Sequence, residues 1–270
     1  MSLAMPTLIV SPSSLAARRA PAPTAAPSAH LRAVGGCGLS TGSGCPCARP
    51  CAEVDQNAPL MRDGEGVRFR RGEVLWRQGE PASALISVCT GAVKLTRRWP
   101  DGREMILDLV FRGQLMGEAA AVPGAVHATT AVALSAGRAV RVEELALRRM
   151  LREQPALSTT LLGLAVARQA AFTRRLDELN HGAVESRLAR VLLRVGDEVG
   201  LKDSRGVFVP VHLSRGDLAD LVGCRVETTI RIMTRWQREG VVETQREGLV
   251  LRDRAALEAA GQEQVEEAAV

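Results

Sequence analysis

Between residues 67 and 142 the apolar positions fall in short alternating runs, each closed off by a glycine: Gly72, Gly79, Gly91, Gly102, Gly113, Gly117. Period-two alternation with glycine at the breaks predicts short strands in a sandwich or barrel. Ile86 and Val88, then Val93 and Leu95, alternate with polar or small neighbours. Asp101-Gly102 signals a hairpin, and Met105, Leu107, Leu109 and Phe111 are predicted to share one face of the returning strand. After Glu143 the period becomes helical. From Leu157 to Asn180 the only Gly or Pro is Gly163; Leu162, Gln169 and Leu176 repeat at one heptad position, and Ala165, Phe172 and Leu179 at the other. That seam predicts a helix that pairs with a second copy of the chain, while the polar Gln169 leaves open a helix packed on its own β-domain.

A further pattern runs from residue 212 to 240, HLSRGDLADLVGCRVETTIRIMTRWQREG. Ser214 followed three residues later by Asp217 has the form of a capping box, with Leu218 and Leu221 on the buried side of a short helix. Gly223 supplies a turn. A second helix is predicted from near Val226, burying Ile230, Met233 and Trp236 and stopping at Gly240. Two short helices around a glycine turn make a helix-turn-helix. Its outward positions carry Arg225, Arg231, Arg235 and Arg238 against the single acid Glu227. Arginine bonds guanine O6 and N7 in pairs and a carboxylate accepts from cytosine N4, so Glu227 and Arg231 are expected to read bases, with Arg225, Arg235 and Arg238 on phosphates. Val241-Val242 and Leu249-Val250-Leu251 around Arg246 and Gly248 predict a two-stranded wing.

Composition narrows the picture. A chain of 270 residues accommodates two modest domains and a connecting element. No apolar run approaches the ~20 residues of a membrane-spanning helix, so a soluble protein without a membrane partner is expected. The net charge of +5 permits a polyanionic partner, and its concentration on the second helix of the pair makes that partner DNA. No nucleophile–base pair, phosphate loop or paired catalytic carboxylates stand out, which predicts a non-enzyme.

Residues 1–52 contain no acid and no Phe or Trp, only Arg18, Arg19, Arg32 and Arg49 among Ala, Pro, Ser and Gly, the composition of a disordered arm. It lacks the apolar core of a secretory signal, so a reducing cytoplasm is expected; an organelle transit peptide is the alternative, and Met61 is an alternative first residue. Cys37, Cys45, Cys47 and Cys51 sit within this arm at C-x7-C-x-C-x3-C spacing. Four thiolates together suit an iron–sulfur cluster or zinc, and a stress disulfide or no role at all are the alternatives. Cys89 and Cys224 stand alone in the predicted domains and read as packing residues, with Cys89 a weaker candidate ligand. His30, His127, His181 and His212 show no ligand spacing.

In its β-segments FRRGEVLWRQGEPA (69–82), TGAVKLTRRWPDGREMIL (90–107) and GQLMGE (113–118), and in VGCRVETTIRIM (222–233), the sequence resembles the Crp/Fnr superfamily from residue 67 to about 260. The family's Glu-Thr-x-x-Arg pattern is present as Glu227, Thr228 and Arg231, with Ile230 where the family often has Ser or Gly. The resemblance implies an α+β chain: a cyclic-nucleotide-binding-like β-roll, a long dimerisation helix and a C-terminal winged helix-turn-helix. Cyclic-nucleotide-binding relatives follow the Gly-Glu pair with Arg-Ser, where arginine neutralises the cyclic phosphate; here Gly117-Glu118 is followed by His127-Ala128, so cyclic AMP is not the expected ligand. The oxygen-responsive branch is similar in carrying cysteines ahead of the β-roll for a [4Fe-4S] cluster. Its usual spacing differs, and no cysteine stands near Val140, where its fourth ligand is expected.

The expected organisation is therefore an arm (1–60), a β-roll (61–150), a dimerisation helix (151–182), a winged helix-turn-helix (183–260) and a tail (261–270). The expected function is a cytoplasmic, homodimeric transcriptional regulator on palindromic double-stranded DNA, working with RNA polymerase. Its expected DNA contacts are Ser214, Arg225, Glu227, Thr228, Arg231, Arg235 and Arg238. Its input is a redox or nitric-oxide signal through the cysteine cluster, or a small molecule or haem at Gly117, Glu118 and His127. A metal-holding or interaction module built on the arm alone is the alternative from a different class.

Overall fold

The structure, a computed structural model, describes residues 64–180 and 182–262 and the backbone of 32–33. Cys37, Cys45, Cys47, Cys51, His30, His181 and the tail from 263 lie outside the described residues. The glycine-bounded runs form two facing antiparallel sheets. One has the order β1 (Arg32–Ala33), β2 (Glu65–Phe69), β9 (Gly137–Glu143), β4 (Ala84–Thr90) and β7 (Leu115–Met116). The other runs β3 (Val74–Trp76), β8 (Thr130–Ala133), β5 (Val93–Arg98), β6 (Glu104–Val110). Alternation sends Val67, Phe69, Ile86 and Val88 from one sheet against Trp76, Val93, Leu95 and Ala131 from the other.

The expected face of β6 is corrected by a bulge. Leu95 pairs with Asp108 but Thr96 pairs with Ile106, so Leu107 is an extra residue and the alternation shifts by one. Ile106, fully buried, therefore joins Leu109 and Phe111, and this face turns away from the sandwich interior toward the C-terminal unit.

Helix α1 (Glu144–Glu153) lays Leu147 and Met150 on Leu85, Leu115 and Val142. Gln154 leaves helical geometry, and Pro155, which needs no N–H at a first helical position, opens α2 (Pro155–Asn180). Leu157 and Leu161 of α2 are buried against the sandwich, with Leu164 beside them, whereas Leu162 (66% exposed), Val166, Phe172 and Leu176 stand open. The helix thus packs one face on its own β-domain and exposes apolar side chains on another. The side chain of Leu179 lies outside the described residues.

The C-terminal unit contains α3 (Val184–Val199), α4 (Arg215–Val222), α5 (Val226–Arg238) and α6 (Arg254–Gln262). Its sheet has four strands rather than the two predicted, in the order β10 (Leu201–Asp203), β11 (Gly206–Val209), β13 (Gly248–Leu251), β12 (Val242–Gln245). Leu188, Leu192, Leu218, Leu221, Met233 and Trp236 form its centre, and Ala92, Ile106, Leu109, Phe111 and Leu134 of the sandwich belong to the same apolar cluster. Lys94 of β5 reaches across this seam to Asp217 at 2.6 Å.

Gly117 ends β7 at φ 84°, and a Cβ there would lie 2.5 Å from the Ala84 carbonyl oxygen. Gly117→Ala is expected to cost about 2–3 kcal/mol in left-handed strain and overlap. Calorimetry should show a Tm lowered by about 5–10 °C; a loss under about 2 °C would contradict the placement of this turn.

Candidate nucleic-acid interface and sensor cavity

The helix-turn-helix is built by a closed capping box. Ser214 Oγ accepts the Asp217 backbone N–H at 3.0 Å, and Asp217 Oδ2 accepts the Ser214 N–H at 2.9 Å and its hydroxyl at 2.6 Å. The shorter Asp thus does the work usually given to Glu. Gly223 takes the left-handed conformation, φ 65°, and the Cys224 N–H closes the turn on the Ala219 carbonyl. Cys224 is partly buried on the C-terminal core, its sulfur 3.2 Å from Thr229 Oγ1.

Helix α5 buries Thr229, Ile232, Met233 and Trp236. The expected burial of Ile230 is corrected: at 100° per residue it lies off the line 229–232–233–236, and it is 46% exposed. The outer face therefore presents Glu227, Ile230 and Arg231 together, with Thr228 half-buried beside them. An exposed Ile at this place offers an apolar contact of the kind a thymine methyl accepts.

Arg225, at the start of α5, Arg231 and Arg238 are exposed and have no ion pair among the described residues. Arg235 is committed differently: it is ion-paired with Glu185 of α3, which also accepts the Trp236 indole N–H at 3.0 Å. That pair fastens α5 to α3 while leaving the Arg235 side chain half exposed. Ser214 is exposed at the N-terminus of α4, and Arg246 at the tip of the wing. Arg215 ties α4 to the wing through Thr244 Oγ1 at 2.9 Å.

Gly117, Glu118 and His127 meet at a cavity of about 970 Å³. Glu118 is ion-paired with Arg168 of α2, whose other nitrogens reach the Leu115 carbonyl at 2.6 Å and Asp108 at 3.4 Å. His127 stacks on Trp76, with ring centres 4.2 Å apart and planes 11° from parallel. Burial pulls its pKa down to about 4 against the opposing charges of Glu80 and Glu118, so the imidazole is neutral at pH 7. At the place of the Arg-Ser pair of cyclic-nucleotide-binding relatives, the neutral His127 supplies no charge for a cyclic phosphate. Sequence reasoning missed the far wall, where Arg194 and Glu198 of α3 and Leu221 of α4 line the same cavity. Cys89 packs against the apolar cluster that contains Leu85, Leu115 and Val142, and no group of three metal-ligating side chains forms among the described residues.

Residues 66–154 match the cyclic nucleotide-binding domain and residues 186–260 the Crp-like helix-turn-helix domain. Transcriptional regulator LdrP of Thermus thermophilus is 30% identical over 71% of this chain and 94% of its own length. The CRP-like cAMP-activated global transcriptional regulator of Mycobacterium tuberculosis is 27% identical over 73% of this chain and 88% of its own. Among solved structures, FixK2 from Bradyrhizobium japonicum superposes with a TM-score of 0.64 at 22% identity, covering 73% of this chain and 96% of that one. A CRP-family transcriptional regulator from Thermus thermophilus gives 0.59 at 29% identity, covering 72% and 95%. Among the described residues no helix is long and apolar enough to cross a membrane. With a capped helix-turn-helix that turns its arginines outward, and both domains matched in order, the chain belongs to the Crp/Fnr family and is a DNA-binding transcriptional regulator.

Proposed function

We propose that the chain acts in the cytoplasm as a homodimer whose two α5 helices read a palindromic double-stranded DNA site next to bound RNA polymerase. The observation that carries this is the outer face of α5: Arg225, Glu227, Ile230 and Arg231 stand exposed on a helix fixed from behind by Trp236, Met233 and the Arg235–Glu185 pair. The open stripe of Leu162, Val166, Phe172 and Leu176 on α2 is the surface that a second copy covers.

The input is placed, on thiol chemistry, at Cys37, Cys45, Cys47 and Cys51, which would hold a [4Fe-4S] cluster; when bound, the cluster supplies a redox- and nitric-oxide-sensitive cross-link of the arm. Ala33 pairs with Val67, so Cys37 follows four residues after a point where the arm joins the sandwich. Cys89 does not fit as a ligand, being packed among apolar side chains. A second reading, a small molecule or haem in the cavity, is favoured by the neutral His127 and the position of Arg168, through which α2 touches the cavity.

Arg231→Ala should cost about 1–3 kcal/mol on the specific site and relax specificity at one base pair, measured by fluorescence anisotropy. Arg225→Ala should weaken all sequences alike and lower the salt slope by about 1. Equal losses on specific and random DNA for Arg231→Ala would remove it from base reading. Phe172→Glu should yield monomers in sedimentation equilibrium, and a dimer that persists would move the interface elsewhere. Anaerobically purified protein should carry about four irons per chain, with an absorbance near roughly 400 nm that air bleaches and Cys45→Ser abolishes. Iron-free protein with bound zinc, or with no metal, would overturn the cluster.

A further inference from the structure

The cavity is bounded by three parts of the molecule. Trp76, His127 and Glu118 come from the sandwich, Arg168 from α2, and Arg194 and Glu198 from the first helix of the DNA-binding unit. A molecule bound there therefore touches the DNA-binding unit itself.

Its chemistry follows from what is already spent. Arg168 gives its guanidinium to Glu118, the Leu115 carbonyl and Asp108. Arg194 is the remaining cation in the lining, with no hydrogen bond or ion pair among the described residues, and it faces two acids, Asp108 and Glu198. The lining thus holds three carboxyls, Glu118, Asp108 and Glu198, against two guanidinium groups. Burial holds the Asp108 and Glu198 carboxyls above their ordinary range, and for Glu198 the neighbouring Asp108 adds to the effect. Glu198 has as hydrogen-bond partner only the Gln114 amide among the described residues.

A separate observation points to an occupant. His127 is only 6% exposed and lines the cavity, yet no hydrogen bond reaches its ring among the described residues. A neutral imidazole carries one donor and one acceptor, and neither ring nitrogen is fully buried, so both are open to a partner in the cavity. The shelf it forms on Trp76 is flat, and Leu95, Phe111 and Leu164 make the surrounding wall apolar.

We propose that this cavity binds an aromatic primary amine, its ring against the Trp76–His127 shelf and its ammonium between Asp108 and Glu198, bridging the sandwich to the DNA-binding unit. The proposal rests on the reading of the cavity as an effector site and names the ligand class and the wall it acts on. An anion such as a cyclic nucleotide meets three carboxyls and a neutral histidine.

The test is isothermal titration calorimetry of the full chain with three probes: 2-phenylethylamine, phenylacetate of like shape and opposite charge, and cyclic AMP. The amine should bind, phenylacetate and cyclic AMP at least tenfold more weakly. Asp108→Asn and Glu198→Gln, which keep an acceptor oxygen, should each weaken the amine about tenfold, a loss of about 1.4 kcal/mol. Thermal unfolding checks that both variants are folded. The amine should also change the affinity of the wild-type protein for its DNA, and fail to do so in Glu198→Gln. Tighter binding of phenylacetate or cyclic AMP overturns the amine and leaves the effector cavity standing. Binding by none of the three, or binding indifferent to both substitutions, overturns the proposal. Ala167→Trp fills the cavity from α2 and tests the underlying reading, which fails if that substitution leaves DNA affinity unaltered.

Discussion

The Asp217 carboxylate is the interaction on which the arrangement depends. One oxygen closes the capping box with Ser214 and the other receives the Lys94 ammonium, so the same group starts the helix-turn-helix and joins it to the sandwich. Burial works to raise its pKa, and the bonds from Lys94 and Ser214 overcome that and hold it below the ordinary carboxylate range. Removing Lys94 would strand a buried negative charge, the unfavourable half of any such ion pair. Around this pair Ile106, Leu109 and Phe111 pack with Leu218, Leu221 and Val222, and the two units share a core.

A shared core changes how a signal travels. Where sensor and DNA-binding unit are separate bodies, α2 alone carries the coupling between them. Here a second contact exists, because the seam and the cavity wall both use β6: its outward residues Ile106 and Leu109 meet α4, while Asp108 lines the cavity opposite Glu198. A two-state element biased from the cavity would act on both routes together, which is what coupling of two sites requires.

Much of this was legible in the sequence, for identifiable reasons. The helix-turn-helix announces itself through local chemistry: a cap at Ser214, apolar spacing at Leu218 and Leu221, a turn glycine, all within a few residues. Gly117, Glu118 and His127 were found because glycine spacing and family order mark their places. What escaped was set by tertiary context. The bulge at Leu107 cannot be read from an alternating pattern that looks unbroken, Ile230 and Thr229 differ by one residue in a helical phase, and β10 is three exposed residues with no apolar signature. The commitment of Arg235 to Glu185, and the presence of Arg194 and Glu198 opposite Asp108, join residues far apart in the chain. No local period encodes them.

The break at Gln154-Pro155 has a mechanical meaning. Helix α2 is 26 residues long, so at 1.5 Å per residue it is a rod of about 39 Å, fastened from Leu157 to Arg168. Swinging the part beyond Arg168 by about 5° carries its end roughly 1.5 Å, through lever geometry alone. Hydrogen bonds to base edges tolerate only a few tenths of an ångström, on the order of 0.3 Å. The rod therefore multiplies a disturbance too small to unpack the sandwich into a displacement larger than a hydrogen bond to a base edge tolerates.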